Sequence, residues 1–210
     1  GDDSGKDFLD MLRKYTAVTK VTGDSIAAVN KALKEFDLVV IGYHKSDKHP
    51  WKPFKFNKKE RQWIDEIANK NKVILSVFAS PYSLLDIQSF KSIEGVLVAY
   101  QNSKIGQEIA AQTIFGAISA TGKLPVSIND VFPVGTGIRT KDLMRLQYSI
   151  PEAVNVSSNR LQKIDSVAEV VLQKKMAPGL QILVARYGKV IYEKSFGFHT
   201  DKKRDTVKNS

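Results

Sequence analysis

Two hydrophobic rhythms alternate along the first two thirds of the chain. Short, mostly apolar runs come first: Leu38-Val39-Val40-Ile41-Gly42, Val73-Ile74-Leu75-Ser76-Val77-Phe78 and Val96-Leu97-Val98-Ala99. Such runs predict strands buried on both faces of a parallel sheet. Between them, apolar residues recur at helical spacing. Phe8, Leu9 and Leu12 mark a helix over 7–14, and Ile26, Val29, Leu33 and Phe36 one over 24–36. Trp63, Ile64 and Ile67 mark 58–71, and Ile105, Ile109, Ala110, Ile114 and Phe115 mark 104–120. Ser4 is placed to cap the first helix and Gly122 to end the last in a left-handed conformation. Residues 83–90 predict a short helix or turn. Residues 16–21 alternate and 124–128 form a last apolar run, predicting one further strand at each end of the series.

Strands alternating with amphipathic helices imply right-handed crossovers, and hence a mainly parallel sheet covered on both faces. The expected fold class is therefore α/β: a three-layer α/β/α sandwich, flavodoxin-like in outline, spanning 1–138. Residues 139–156, with Pro151 and the charged stretch from Arg139 to Arg145, break the periodicity and read as a linker. In 157–210, Ser157 or Ser158 can cap a helix carrying Leu161, Ile164, Val167 and Val170, and Pro178-Gly179 breaks the pattern. Alternating residues 180–186 and 189–195, joined at Tyr187-Gly188, then predict a β-hairpin. A helix and hairpin of that size bury little by themselves, so the appendage is expected to pack on something else or on a second copy of the chain.

Composition narrows the chemistry. The 210 residues include no cysteine, which excludes disulfides, thiolate metal sites and cysteine nucleophiles. No apolar run approaches the roughly 20 residues of a membrane span. The net charge is +10, but residues 1–138 hold 18 Lys and Arg against 15 Asp and Glu, while 139–210 hold 14 against 7. The excess sits on the tail, with Lys202, Lys203 and Arg204, rather than on a folded face studded with aromatics, so no nucleic-acid partner is expected. The polar start, Gly1-Asp2-Asp3-Ser4-Gly5, has no signal-peptide core and leaves the compartment open.

Ligands of open parallel sheets sit beyond the carboxyl ends of the strands. Here those ends present His44, Ser80, Tyr82, Tyr100, Gln101 and Asn102, side chains suited to a sugar or another neutral polyol. The loop after His44 adds His49, Lys45, Lys48, Lys52 and Lys55 among Trp51, Phe54 and Phe56, with Asp47 the one nearby acid. With the third histidine, His199, in the tail, it makes a poor metal site. Its aromatics are expected to pack on another domain. The turn Val21-Thr22-Gly23-Asp24-Ser25 has one glycine where a dinucleotide fingerprint needs three, and no Gly-Lys-Ser/Thr is present, so no nucleotide cofactor is expected. Glu35, Glu60, Asp65, Glu66, Glu94 and Glu108 nominate no pair spaced for glycoside hydrolysis. Most read as solvated helix faces.

Three segments carry a resemblance. Ala99-Tyr100-Gln101-Asn102, Gly106-Gln107-Glu108-Ile109-Ala110-Ala111, and the run from Phe115-Gly116 to Gly122-Lys123-Leu124-Pro125-Val126-Ser127 resemble the second domain of glycoside hydrolase family 3. Ser80-Pro81-Tyr82 fits the same pattern, and the resemblance covers roughly 5–138. It implies a domain that flanks a sugar cleft, the nucleophilic aspartate lying on a preceding barrel domain. The general acid of that family varies: some members place a glutamate on this second domain, whereas the β-N-acetylglucosaminidase branch uses a histidine–aspartate pair on a barrel loop. No glutamate here sits in a recognisable acid/base motif, so the resemblance carries no catalytic residue onto this chain. Residues 157–197, through Ala177-Pro178-Gly179, Tyr187-Gly188-Lys189-Val190 and Ser195-Phe196-Gly197-Phe198, resemble the opening of a serine β-lactamase or penicillin-binding domain, whose Ser-x-x-Lys motif follows such a hairpin.

The expectation is thus an inactive piece of a larger family 3 glycosidase, of β-N-acetylglucosaminidase or β-glucosidase kind. Its partners would be its own barrel domain and that enzyme's carbohydrate substrate. A bacterial, exported or periplasmic parent is kept open. The alternative is a stand-alone binding module for a flavin or small metabolite; a third reading is a nucleic-acid binder using the basic loop and tail.

Overall fold

The structure, a computed structural model, describes residues 5–45, 54–200, 202 and 205–208. Ser4, Asp47, Lys48, His49, Trp51, Lys52, Lys203 and Arg204 lie outside the described residues. The chain divides into two compact units, Gly1–Lys141 and Asp142–Ser210.

The first unit is built on three parallel strands, β1 (Val39–His44), β2 (Val73–Phe78) and β3 (Gly95–Val98), in the order β1-β2-β3. Successive side chains of a strand point to opposite faces. Val73, Leu75 and Val77 meet α2 (Ile26–Leu33) and α3 (Lys58–Ala68), packing with Val29, Leu33, Ile64, Ile67 and Ala68. On the other face Phe78 meets Phe8 of α1 (Lys6–Arg13), and α1 lies along α4 (Lys104–Ile114). Helices therefore cover both faces of a parallel sheet.

Local chemistry sets the helix ends. Asn57 and Glu60 form a reciprocal capping box on α3, each side chain accepting the other's backbone N–H at 2.9 and 2.8 Å. Helix α4 ends earlier than its apolar pattern suggested, at Ile114. Gly116, at φ 70°, takes the left-handed position assigned to Gly122, and the N–H groups of Gly116 and Ala117 return to the carbonyls of Thr113 and Gln112. The buried face of α4 is also rotated: Gln107, Ala110, Ala111 and Gln112 are buried, whereas Ile105 is 72% exposed and Ile109 43%. Two adjacent alanines let neighbouring backbone come close, which larger isoleucines would prevent.

Neither outer strand forms. Residues 17–23 run without regular structure: Val21 packs on the α2–α3 cluster, but no backbone pairing to β1 accompanies it. Residues 124–128 stay on the core, with Ile128 fully buried and Leu124 and Val126 packed against the same cluster, but they form no strand: Pro125 has no N–H to give to a ladder. They enter a long loop instead, its stems joined by Leu124 and Gly135 N–H bonds at 2.8 Å and by Thr140 N–H to the Ala120 carbonyl at 3.0 Å. Gly137 lies so close that an added Cβ would strike the Gly122 carbonyl. Lys123 Nζ donates to the Gly137 carbonyl at 2.8 Å, and Asn129 Nδ2 ties the loop tip to the Leu85 carbonyl at 3.2 Å.

Ser76 sits in the middle of β2 with no exposure, and its hydroxyl finds no partner among the described residues. A desolvated, unmet hydroxyl costs free energy that a methyl of the same shape does not. Ser76→Ala should therefore raise stability by about 1 kcal/mol, read as a higher urea midpoint. A lower midpoint would show that the hydroxyl is satisfied.

In the second unit, β4 (Gln147–Tyr148) pairs in parallel with β6 (Lys189–Gly197), which pairs antiparallel with β5 (Gly179–Arg186). Tyr187 and Gly188, at φ 51° and 73°, form the two-residue turn with both residues left-handed that matches strand twist. The expected single helix is two, α5 (Ser158–Leu161) and α6 (Lys163–Gln173), and Ser157 makes no side-chain cap. Residues 147–154, read as linker, supply β4 and a 3-10 turn (Pro151–Val154). Asp165 pins α6 to the hairpin by accepting from Tyr192 Oη at 2.5 Å and Lys194 Nζ at 2.9 Å. Those bonds hold its carboxyl below the usual range, while burial and then the Asp165 bond push the Tyr192 phenol up to about 12. Val154, Ala168, Val190 and Ile191 are the buried apolar residues here among those described.

Candidate functional site

The carboxyl ends of β1, β2 and β3 bring the six expected residues to one edge of the first unit, but they do not share a role. His44 closes β1, and its ring stacks on Phe78, 4.4 Å between centroids and 7° from parallel. Space for the ring depends on two glycines, Gly5 and Gly42. A Cβ on Gly5 would collide with the imidazole, and one on Gly42 would lie 2.6 Å from Nε2.

The hydrogen bonds of this edge fix the histidine tautomer. The Phe8 N–H donates to Gln107 Oε1 at 3.0 Å, so the Gln107 amide nitrogen faces the other way and donates to Asn102 Oδ1 at 2.8 Å. His44 Nδ1 lies 2.9 Å from that same oxygen and must therefore carry the proton and donate. His44 and Asn102 thus turn toward each other and tie β1 to the start of α4 and, through buried Gln107, to α1. They position the edge rather than face outward. Gln107 is not among the candidate site residues, although it lies in the Gly106-Gln107-Glu108 segment of the resemblance; its local signal is a polar side chain three and four residues before Ala110 and Ala111, on one helix face.

The outward-facing members are Tyr82, 42% exposed, and Tyr100, 40% exposed, with Gln101 exposed beside them. Ser80 is half-buried, and its carbonyl accepts the Ser83 N–H at 2.9 Å at the start of the 3-10 turn Pro81–Asp86. Two neighbouring strand ends therefore each present a tyrosine.

Acidic chemistry is dispersed. Glu60 serves the α3 cap and pairs with Lys45 at 3.1 Å; Glu66 accepts from Asn30 Nδ2 and Lys70 Nζ, both at 2.8 Å; Glu108 pairs with Lys104 at 3.8 Å. Each serves helix packing or capping. Among the described residues no three metal-ligating side chains come together, and no helix is long and apolar enough to cross a membrane. His199 lies in the second unit, its backbone N–H on the Asp205 carbonyl at 2.8 Å.

The described part of the loop after His44 corrects one expectation. Phe56 is buried within this unit, stacked on Tyr43 with centroids 3.6 Å apart, and the Tyr43 hydroxyl donates to the Phe54 carbonyl at 3.1 Å. Phe56 therefore packs on its own sheet rather than on another domain. Burial, reinforced by Glu60 and Asp86, pushes the Tyr43 phenol far above its ordinary value.

Residues 4–175 match the family described as glycosyl hydrolase family 3 C-terminal domain, a span that continues past the first unit through β4 and α6. No curated protein and no solved structure matches the chain.

Proposed function

From a chain that belongs to the glycosyl hydrolase family 3 C-terminal domain family, we propose a non-catalytic role: its strand-end edge flanks the sugar cleft of a longer glycosidase. The observation that carries this reading is the outward pair Tyr82 and Tyr100, mounted on an edge that His44, Asn102 and Gln107 hold in place. Tyrosine offers an apolar face with a polar tip, which suits the mixed surface of a sugar ring. Nucleophile and general acid would come from a barrel domain elsewhere in the same polypeptide. The parent is proposed to be of the β-N-acetylglucosaminidase kind, with a β-glucosidase next. For the hairpin unit we propose the opening of a serine β-lactamase-like domain, a reading supported by Pro178-Gly179 followed by the hairpin with its Gly188 turn.

The test compares hydrolysis of a chromogenic β-N-acetylglucosaminide by this chain and by a longer polypeptide that also carries a family 3 barrel. Turnover is expected only in the longer protein. Turnover by the chain alone would overturn the accessory role and reopen the dispersed carboxylates.

A further inference from the structure

Tyr100 is held in a backbone conformation that tyrosine disfavours. Its φ is 63°, and the Gln101 N–H bonds back to the Ala99 carbonyl at 2.7 Å, closing a three-residue turn around it. The positive-φ form of that turn is rare and strained. Residues flanking it are fixed within three positions. The Ala99 N–H is held by the Val77 carbonyl at 2.9 Å, Asn102 by His44 and Gln107, and Ser103 Oγ accepts the Gly106 N–H at 3.1 Å to start α4. The Gln101 carbonyl also lies 3.0 Å from where a Cβ on Gly106 would stand, so a side chain there would press on the turn. Strain of this kind persists only where the surroundings over-determine it, and such sites gather at ligand clamps. Glycine or asparagine would sit at φ 63° with less penalty. The strained turn carries instead a large ring, 40% exposed, and Tyr82, which follows the neighbouring strand β2, is 42% exposed.

We propose that this turn is a preorganised mount for Tyr100, whose ring stacks on the apolar face of a neutral pyranose while Tyr82 flanks the same sugar. The proposal rests on the cleft-flanking role of this edge and names the residue and ligand class. Fixing the ring before binding lowers the ordering cost of the complex, and the strain is the stability given up for it. The hydrogen-bonded chain from His44 through Asn102 and Gln107 to Phe8 is the positioning frame.

Two readouts on the full 210-residue chain test it. The first is thermal stability: Tyr100→Gly and Tyr100→Asn should each raise Tm. If both variants melt at or below the parent temperature, the turn is not strained and the proposal falls. The second is a titration with the β-1,4-linked N-acetylglucosamine disaccharide, following the tyrosine ring resonances. Both Tyr82 and Tyr100 rings should shift. Tyr100→Phe should keep the affinity and Tyr100→Gly lose about tenfold, the size expected of one aromatic stacking contact. A shift at Tyr82 with none at Tyr100 would overturn the mount and leave the edge's sugar role standing. No shift at either ring would overturn both.

Discussion

Phe78→Ala is expected to lower the stability of the first unit by about 3–5 kcal/mol, the range for emptying a buried aromatic site. Phe78 has no exposure, meets Phe8 edge-on with ring centroids 4.9 Å apart and carries the His44 ring on its face. Truncation would open a void between α1 and the sheet. It would also unseat the imidazole, and with it the Nδ1–H bond that holds Asn102. A unit of ordinary marginal stability, about 5–15 kcal/mol, would lose a large share of its margin. The check is urea unfolding of the full chain, with Phe78→Leu as the milder control. A loss below about 1 kcal/mol would mean that α1 is not seated on this face.

Gly197→Ala should abolish the folded hairpin of the second unit while leaving the first unit's signals in place. Gly197 sits at φ 71° at the end of β6, opposite Gly179. An added Cβ would strike the Pro178 carbonyl and stand 2.9 Å from both Gly179 Cα and Leu172 Cδ2. Gly179 has no more room: its own Cβ would lie 2.5 Å from the Phe198 carbonyl. Left-handed strain and overpacking together cost about 3 kcal/mol, against a core of four buried apolar residues among those described. Amide exchange would report it, the β5 and β6 amides losing protection together. Retained protection there would show that the backbone can move aside.

Legibility followed how local each signal was. The run Val73 to Phe78 gave β2 at both ends because a hexapeptide apolar at every position but Ser76 needs no distant partner to be recognised. Tyr187-Gly188 gave the hairpin turn because the left-handed requirement is written in the glycine itself. Residues 16–21 and 124–128 failed because pairing, unlike periodicity, depends on what lies alongside. The face of α4 failed for a related reason: isoleucine outranks alanine on any hydrophobic scale, yet close helix packing selects the smaller residue. The site split in the same way. Topology placed His44, Tyr82, Tyr100 and Asn102 on one edge, but only the bonds from Gln107 and Phe8 decide that His44 and Asn102 face inward. No sequence window contains all of these residues.

The two-residue strand β4 also governs where the polypeptide can be divided. Gln147 N–H reaches the Gly188 carbonyl at 2.9 Å and Ser149 N–H the Val190 carbonyl at 3.0 Å, so the approach to the hairpin is itself a rail of its sheet. Excision at 157, where the helical pattern starts, would strip β6 of that rail and leave a bare edge open to pairing with other chains. Excision after Lys141 keeps the rail with the strand it guards.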